Sequence, residues 1–408
     1  MTKMTGQTRR TILKGGVAAA AAATLGAPTV LRAQPAAVKI GLLQPMSGFL
    51  AQAGDLASIG AQFAVDEINA AGGIKALGGA QIELLIGDSK SNAEAGAQEV
   101  EALNEAGVVA IGGGFASGIS LTATQAAARH DLPFLVDSAT ADSITGRDLA
   151  NTFRLGPNFS MATEVALQNL IKLNEAAGNP AKTVALVHED GLFGAGLAQV
   201  MQEKLPGLGF EILETISHPT PARDMSNVVL RLRSLQPDLV IPSHYYNEFV
   251  LMARTMQQQR VRPMGVYAVF GGAASSYQFV AEYPEAAEGV FDCNHWGDPS
   301  NPTDAELKAA VEAQGKHYAY NTPINYSVVK VLAEAIEKAG AADRAAVTEQ
   351  LRTAEFGSGV MPYGTTKFGE DGQNVNALPL NTQVQDGKIN VIFPDQFAQS
   401  TPVFPVNG

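Results

Sequence analysis

Between residues 38 and 268 one pattern occurs twice: a short apolar run, then an amphipathic stretch, through four runs in succession. In the first block the apolar runs are 38–43, 82–86, 108–111 and 133–136. Leu56, Ile59, Phe63 and Ile68 share one helical face in the first intervening segment, and Gly72-Gly73 ends it. Helices over 93–105, with Asn92 as N-cap, and over 118–130 complete that block. After a connection at 152–157, runs at 183–187, 211–216, 238–241 and 264–268 alternate with helical stretches near 193–205, 224–234 and 247–259. Alternation of this kind builds α/β layers, with a parallel sheet covered on both faces. Two blocks imply two similar lobes.

From about residue 289 the chain offers a strand (289–292), helices near 303–320, 325–339 and 345–353, and strands at 376–385 and 389–392. These strands are too few for a third domain. They are expected to return to the two lobes, so the chain crosses between them more than once and forms a hinge instead of a loose linker.

The first 33 residues read differently. Thr8-Arg9-Arg10-Thr11-Ile12-Leu13-Lys14, a weakly apolar alanine-rich middle and Leu31-Arg32-Ala33 have the layout of an export signal, with a mature start near Gln34. The arginine pair resembles the twin-arginine class, which implies delivery to the periplasm. The apolar stretch is too short and too alanine-rich to span a bilayer, and no cysteine follows it for lipid attachment. Removing its five basic residues takes the formal charge from −12 to −17. Such an acidic surface argues against nucleic acid and anionic lipid as partners, and for a soluble protein without a membrane anchor. Cys293 is the only cysteine, so no intrachain disulfide can form, and the six histidines are scattered without metal-ligand spacing. Neither a cofactor nor a metal is expected.

In open parallel sheets ligands bind beyond the carboxyl ends of the strands. The residues just past the strands of block one are Ser47, Ser117, Ser138 and Thr140; those of block two are Phe193, Tyr245 with Tyr246, and Phe270. Hydroxyls beside helix N-termini suit a carboxylate, and aromatics suit the apolar body of a ligand. Singly, each also fits a helix cap or a core position.

Pro45-Met46-Ser47-Gly48, Gly54-Asp55 and the run Asp66-Glu67-Ile68-Asn69-Ala70-Ala71-Gly72-Gly73-Ile74 resemble the opening of leucine/isoleucine/valine-binding proteins. These are type I periplasmic binding proteins of ABC importers. The likeness continues through Ile111-Gly112, Ser138-Ala139-Thr140, His188-Glu189-Asp190 and Asp238-Leu239-Val240. It implies two Rossmann-like lobes with parallel sheets joined by a three-strand hinge. Lobe 1 would comprise 38–156 and 286–358, lobe 2 would comprise 157–285 and 359–395, and 396–408 would form a tail. It also implies a monomer that closes on a small ligand and docks on a permease. By resemblance, Ser117 and Thr140 hold the ligand carboxylate, the Ser138 carbonyl meets its amine, and Phe193 and Tyr245 supply aromatic walls. Phe270 departs from the pattern, since amino-acid binders place an acidic residue there. Ala53 stands where a bulky aromatic is common. Both changes favour an aromatic or otherwise apolar carboxylate over a branched-chain amino acid, unless Asp292, Asp142 or Glu248 supplies the charge. Trp296, with His295 and Asp292 beside it, is a further candidate wall.

Two other functions are open to the sequence. Gly112-Gly113-Gly114-Phe115-Ala116-Ser117-Gly118 loosely matches a dinucleotide loop, as a secreted oxidoreductase would need, but it follows the third strand instead of the first. A ligand sensor of the same fold would present identical motifs. A hydrolase is not supported: G-x-S-x-G is absent, and Cys293 with His295 lacks a third group.

Overall fold

A computed structural model describes residues 35–407; the expected export signal lies outside them. Strands β1 (Val38–Gln44), β2 (Ile82–Asp88), β3 (Ala110–Gly113), β4 (Phe134–Val136) and β5 (Thr152–Arg154) form an all-parallel sheet in the order β2-β1-β3-β4-β5. A second sheet takes β6 (Thr183–Glu189), β7 (Glu211–His218), β8 (Leu239–Ser243), β9 (Gly265–Val269) and β10 (Phe291–Asn294). A small hairpin, β11 (Glu355–Gly357) with β12 (Thr365–Lys367), stands apart; β13 (Leu380–Gln385) and β14 (Lys388–Phe393) then return to the second sheet. Its order is β14-β13-β10-β9-β8-β6-β7, parallel from β6 to β10, with β13 antiparallel to both its neighbours. Every residue of β3 and β8 is buried, as strands covered by helices on both faces must be.

The first sheet carries α1 (Ala51–Ala70), α2 (Ala93–Glu105) and α3 (Ser117–Ala128). The second carries α4 (Phe159–Ala176), α5 (Leu192–Lys204), α6 (Ser226–Leu235), α7 (Tyr246–Gln259) and the short α8 (Tyr277–Glu282) and α9 (Pro284–Ala287). The chain then goes back to the first lobe as α10 (Pro302–Glu312), α11 (Asn321–Ala339) and α12 (Arg344–Thr353), where α11 packs along α1. That packing is close: a Cβ on Gly60 would lie 2.1 Å from the Thr322 carbonyl oxygen, so only glycine lets the two helices meet there. Asn92 caps α2 as expected, its side chain accepting the Glu94 and Ala95 N–H groups at 2.9 and 3.0 Å.

Four segments differ from the sequence reading. Helix α4, unassigned there, is started by Asn158, which accepts the Met161 N–H at 2.8 Å, and it buries Phe159, Ala162, Ala166, Leu170 and Leu173 at helical spacing. The helix expected over 303–320 stops at Glu312; Gly315 turns the chain at φ 71° and Ala319 bridges to Ser276. The return expected near 286 comes after β10, because Phe291–Asn294 is still hydrogen-bonded to β9 and β13. The third crossing likewise comes after the β11–β12 hairpin, near Gln373, not at 358. Main-chain pairing fixes these limits, and pairing with a distant strand leaves no local periodicity to read.

Candidate ligand-binding site

The carboxyl ends of both sheets point into the interface between the lobes. Past β3 the chain turns through Gly114, Phe115 and Ala116 and enters α3 at Ser117. Ala116 holds φ 78°, an uncommon value for a residue with a side chain. No side chain caps α3, so its first N–H groups and its dipole face the interface. The Ser117 hydroxyl accepts the Ala141 N–H at 3.2 Å, which ties α3 to the loop after β4. That loop presents Ser138, Ala139 and Thr140. From the other lobe come Phe193 at the start of α5, Tyr245 before α7, Phe270 after β9 and His295 after β10. Phe270 also sits at positive φ, 53°, a costly backbone conformation of the kind that concentrates at ligand sites.

These groups line one pocket. Six of the seven residues singled out in the sequence line it: Ser117, Ser138, Thr140, Phe193, Tyr245 and Phe270. Trp296 does not; its ring packs against Tyr318 and Tyr277, at 5.7 and 6.3 Å between centroids. Ala53 lines an adjoining chamber, which shares Phe115, Tyr245 and Tyr320 with the first. Ser47 is spent elsewhere, donating to Asp88 at 2.6 Å. The aromatic wall has two parts. Tyr245 lies 5.3 Å from Phe193 and 5.9 Å from Phe115, while Phe270 stacks on His295 at 4.9 Å. Strand-end reasoning missed Phe115, His244, Asn294 and Tyr320 as lining residues, and took His295 only as a neighbour of Trp296. Tyr320 follows no strand, so that rule could not reach it.

Among the described residues no Asp, Glu, Lys or Arg lines the pocket. The nearby acids are held by other partners. Asp292 accepts from the Gly271 N–H (2.9 Å), Ser275 (2.6 Å) and Asn294 (2.9 Å). Asp137 accepts from Gln44 (2.8 Å) and Asn325 (3.0 Å), and Glu189 caps α5 through the Gly191 and Gly194 N–H groups. Burial raises all three carboxyls above their usual range, with these hydrogen bonds pulling the other way. Glu248 accepts from Thr220 and Ala222, and Asp142 from Ser160. None of the three acids weighed as a substitute counter-charge reaches the pocket. Burial also pushes His244 and His295 down to about 3, so both rings are neutral.

Behind the hydroxyl-bearing loop stands Arg154, which is fully buried. Its guanidinium donates to the Ala139 and Ala141 carbonyls (3.3 and 2.7 Å), to Thr145 (3.2 Å) and to Gln373 (2.7 Å). It therefore joins the Ser138–Thr140 loop to the third lobe crossing. Cys293 is buried and its thiol is raised by burial, the reverse of what a nucleophile requires.

A family model described as periplasmic binding protein matches residues 37–388. The Leu/Ile/Val-binding protein homolog 7 of Brucella melitensis is 31% identical over 375 residues, covering 89% of this chain and 93% of its own. Among solved structures, the branched-chain amino acid transporter substrate binding protein LivJ of Streptococcus pneumoniae, in complex with isoleucine, matches with a TM-score of 0.74 at 23% identity, over 88% of this chain and 100% of its own. A solute binding protein of an ABC transporter from Rhodopseudomonas palustris BisB5, in complex with 3,4-dihydroxy benzoic acid, also gives 0.74, at 20% identity over 86% and 95%. These likenesses favour a binding protein and lend nothing to the oxidoreductase alternative. With the family model spanning most of the sequence and a relative of this identity along nearly all of it, the chain belongs to the periplasmic binding protein family.

Proposed function

We propose that this protein is the substrate-binding component of an ABC importer and that its ligand is a small carboxylate with an aromatic or apolar body. One observation carries the ligand class: the pocket joins hydroxyls and a helix N-terminus to an aromatic wall, with no carboxylate among its lining residues. A carboxylate is stabilised by Ser117, Thr140 and the free N–H groups of α3. An α-ammonium would enter a pocket with no counter-charge in its lining, at a cost of several kcal/mol. The fold does not choose between these ligands, since one solved neighbour holds isoleucine and another holds an aromatic acid. The uncharged, aromatic lining favours the aromatic acid.

The mechanism is non-catalytic. The ligand settles mainly on the first lobe, and contacts from Phe193, Tyr245 and Phe270 favour closure of the second. Direct inter-lobe bonds support a closed state, among them Gln52 to Gln278 at 2.6 Å and the Tyr277 N–H to the Tyr318 carbonyl at 3.0 Å. The closed monomer docks on the permease. Residues 1–33 send the chain to the periplasm by the twin-arginine route. Among the described residues no helix is long and apolar enough to cross a membrane.

Calorimetric titration with leucine and with benzoate- and phenylacetate-type acids tests the ligand class. Binding of an aromatic acid with little response to leucine is expected. Submicromolar leucine binding with no response to the acids would refute the reading.

A further inference from the structure

His295 enters the pocket wall at the second lobe crossing and is 1% exposed. Its ring is held between Phe270, stacked at 4.9 Å, and Tyr320 at 6.2 Å. The Nδ1–Cε1 edge lies over Gly156, where even a Cβ would come within 2.5 Å of Cε1 and 2.8 Å of Nδ1. The ring approaches the Ser138 backbone and the Ser138 hydroxyl approaches Asp137, but neither ring nitrogen nor that hydroxyl, which lines the same pocket, makes a hydrogen bond of good geometry. Buried polar atoms are nearly always paired, so three left open on one pocket mark a place where something else supplies the partner.

The chemistry of that partner follows from the surroundings. A cation would meet no carboxylate in the lining, and a second anion would meet no Lys or Arg. The imidazole, neutral because burial opposes its protonation, offers one donor and one acceptor, and a serine hydroxyl offers the same pair. A hydroxyl, which can donate to one and accept from the other, satisfies both at once. Resting on the carboxylate reading above, we propose that Ser138 and His295 form a subsite for an uncharged hydroxyl group of the ligand. The ligand is then a hydroxylated aromatic or apolar acid.

The test is calorimetric titration of the full chain with benzoate and its 2-, 3- and 4-hydroxy derivatives, repeated on His295→Phe and Ser138→Ala. At least one hydroxybenzoate should bind about tenfold or more tighter than benzoate, the equivalent of one satisfied hydrogen bond. That advantage should vanish in His295→Phe, which keeps the stacking on Phe270, so that the hydroxybenzoate and benzoate bind this variant with the same affinity. Should His295→Phe fail to fold, Ser138→Ala and His295→Gln, which retains a donor and an acceptor, decide the matter: the first should lose the advantage and the second keep part of it. If benzoate binds but no hydroxy isomer gains, or if the gain survives in Ser138→Ala and His295→Phe, the hydroxyl subsite is wrong and the carboxylate reading stands. If leucine binds and none of the acids does, both fall.

Discussion

Arg154→Met removes the fork that holds the ligand-binding loop while keeping most of the side-chain length. The guanidinium stays cationic at neutral pH, its pKa lowered only to about 10 by burial, with Asp142 and Asp371 opposing the shift. Its two shortest bonds, to Ala141 and Gln373 at 2.7 Å, are charge-assisted and worth about 1.5–3 kcal/mol each. Their loss also strands buried acceptors. Against this, no carboxylate touches the fork, so burying the charge carries its own penalty, and methionine relieves it. The net expectation is a loss of about 2–4 kcal/mol. Arg154→Lys should fall between, because one ammonium cannot span acceptors on both the loop and the crossing. Urea unfolding followed by circular dichroism and by Trp296 fluorescence measures this directly. Thr140 rides on the same loop, so affinity for the ligand should drop in both variants. Unchanged midpoints for Met and Lys alike would show that the Ser138–Thr140 loop is held by something other than this fork.

Ser117→Ala and Thr140→Ala should each weaken carboxylate binding by about 1.5–3 kcal/mol, roughly tenfold to a hundredfold, while melting without ligand changes far less; normal titrations for both would remove them from the site. Below pH 6.5 the unfolded chain protonates position 295, whereas the folded chain resists until about 3, so this histidine contributes stability that is lost as pH falls through that window. Denaturation of His295→Phe should accordingly be less steep in pH than wild type by up to about 1.4 kcal/mol per unit between 6.5 and 3; the raised carboxyls of Asp137, Glu189 and Asp292 act in the opposite sense but equally in both proteins. Parallel pH curves would show that the ring is not held neutral. Replacing Arg9 and Arg10 by lysine should trap precursor in the cytoplasm, as seen by fractionation, because a receptor reads the pair itself; normal periplasmic yield would point to the general secretory route.

Much of this molecule is written locally. The apolar runs of the strands and the helical spacing of Leu56 and Ile59 each depend on neighbours a few residues away, so two parallel-sheet lobes followed from the sequence. Strand ends mark the ligand-facing edge of such sheets, and Ser117, Ser138, Thr140, Phe193, Tyr245 and Phe270, which that rule picks out, line one pocket. Trp296, a candidate wall by its place beside a lobe crossing, lies outside it: its ring turns toward Tyr318 and Tyr277, and nothing in the adjacent residues announces that.

What the tertiary structure alone decided is the pocket's chemistry. Asp292 stands three residues from His295 in sequence, yet Gly271, Ser275 and Asn294 take up its oxygens and leave the pocket without charge. The His295 ring sits where it does because Phe270 stacks on one side and Gly156, from the first crossing, leaves room for its edge. Arg154 is a loop anchor only because Gln373 arrives from 219 residues further along the chain. Periodicity fixes which face of an element is buried. Whether a buried polar group is satisfied or free for a ligand depends on partners brought from distant segments, and only the folded packing decides that.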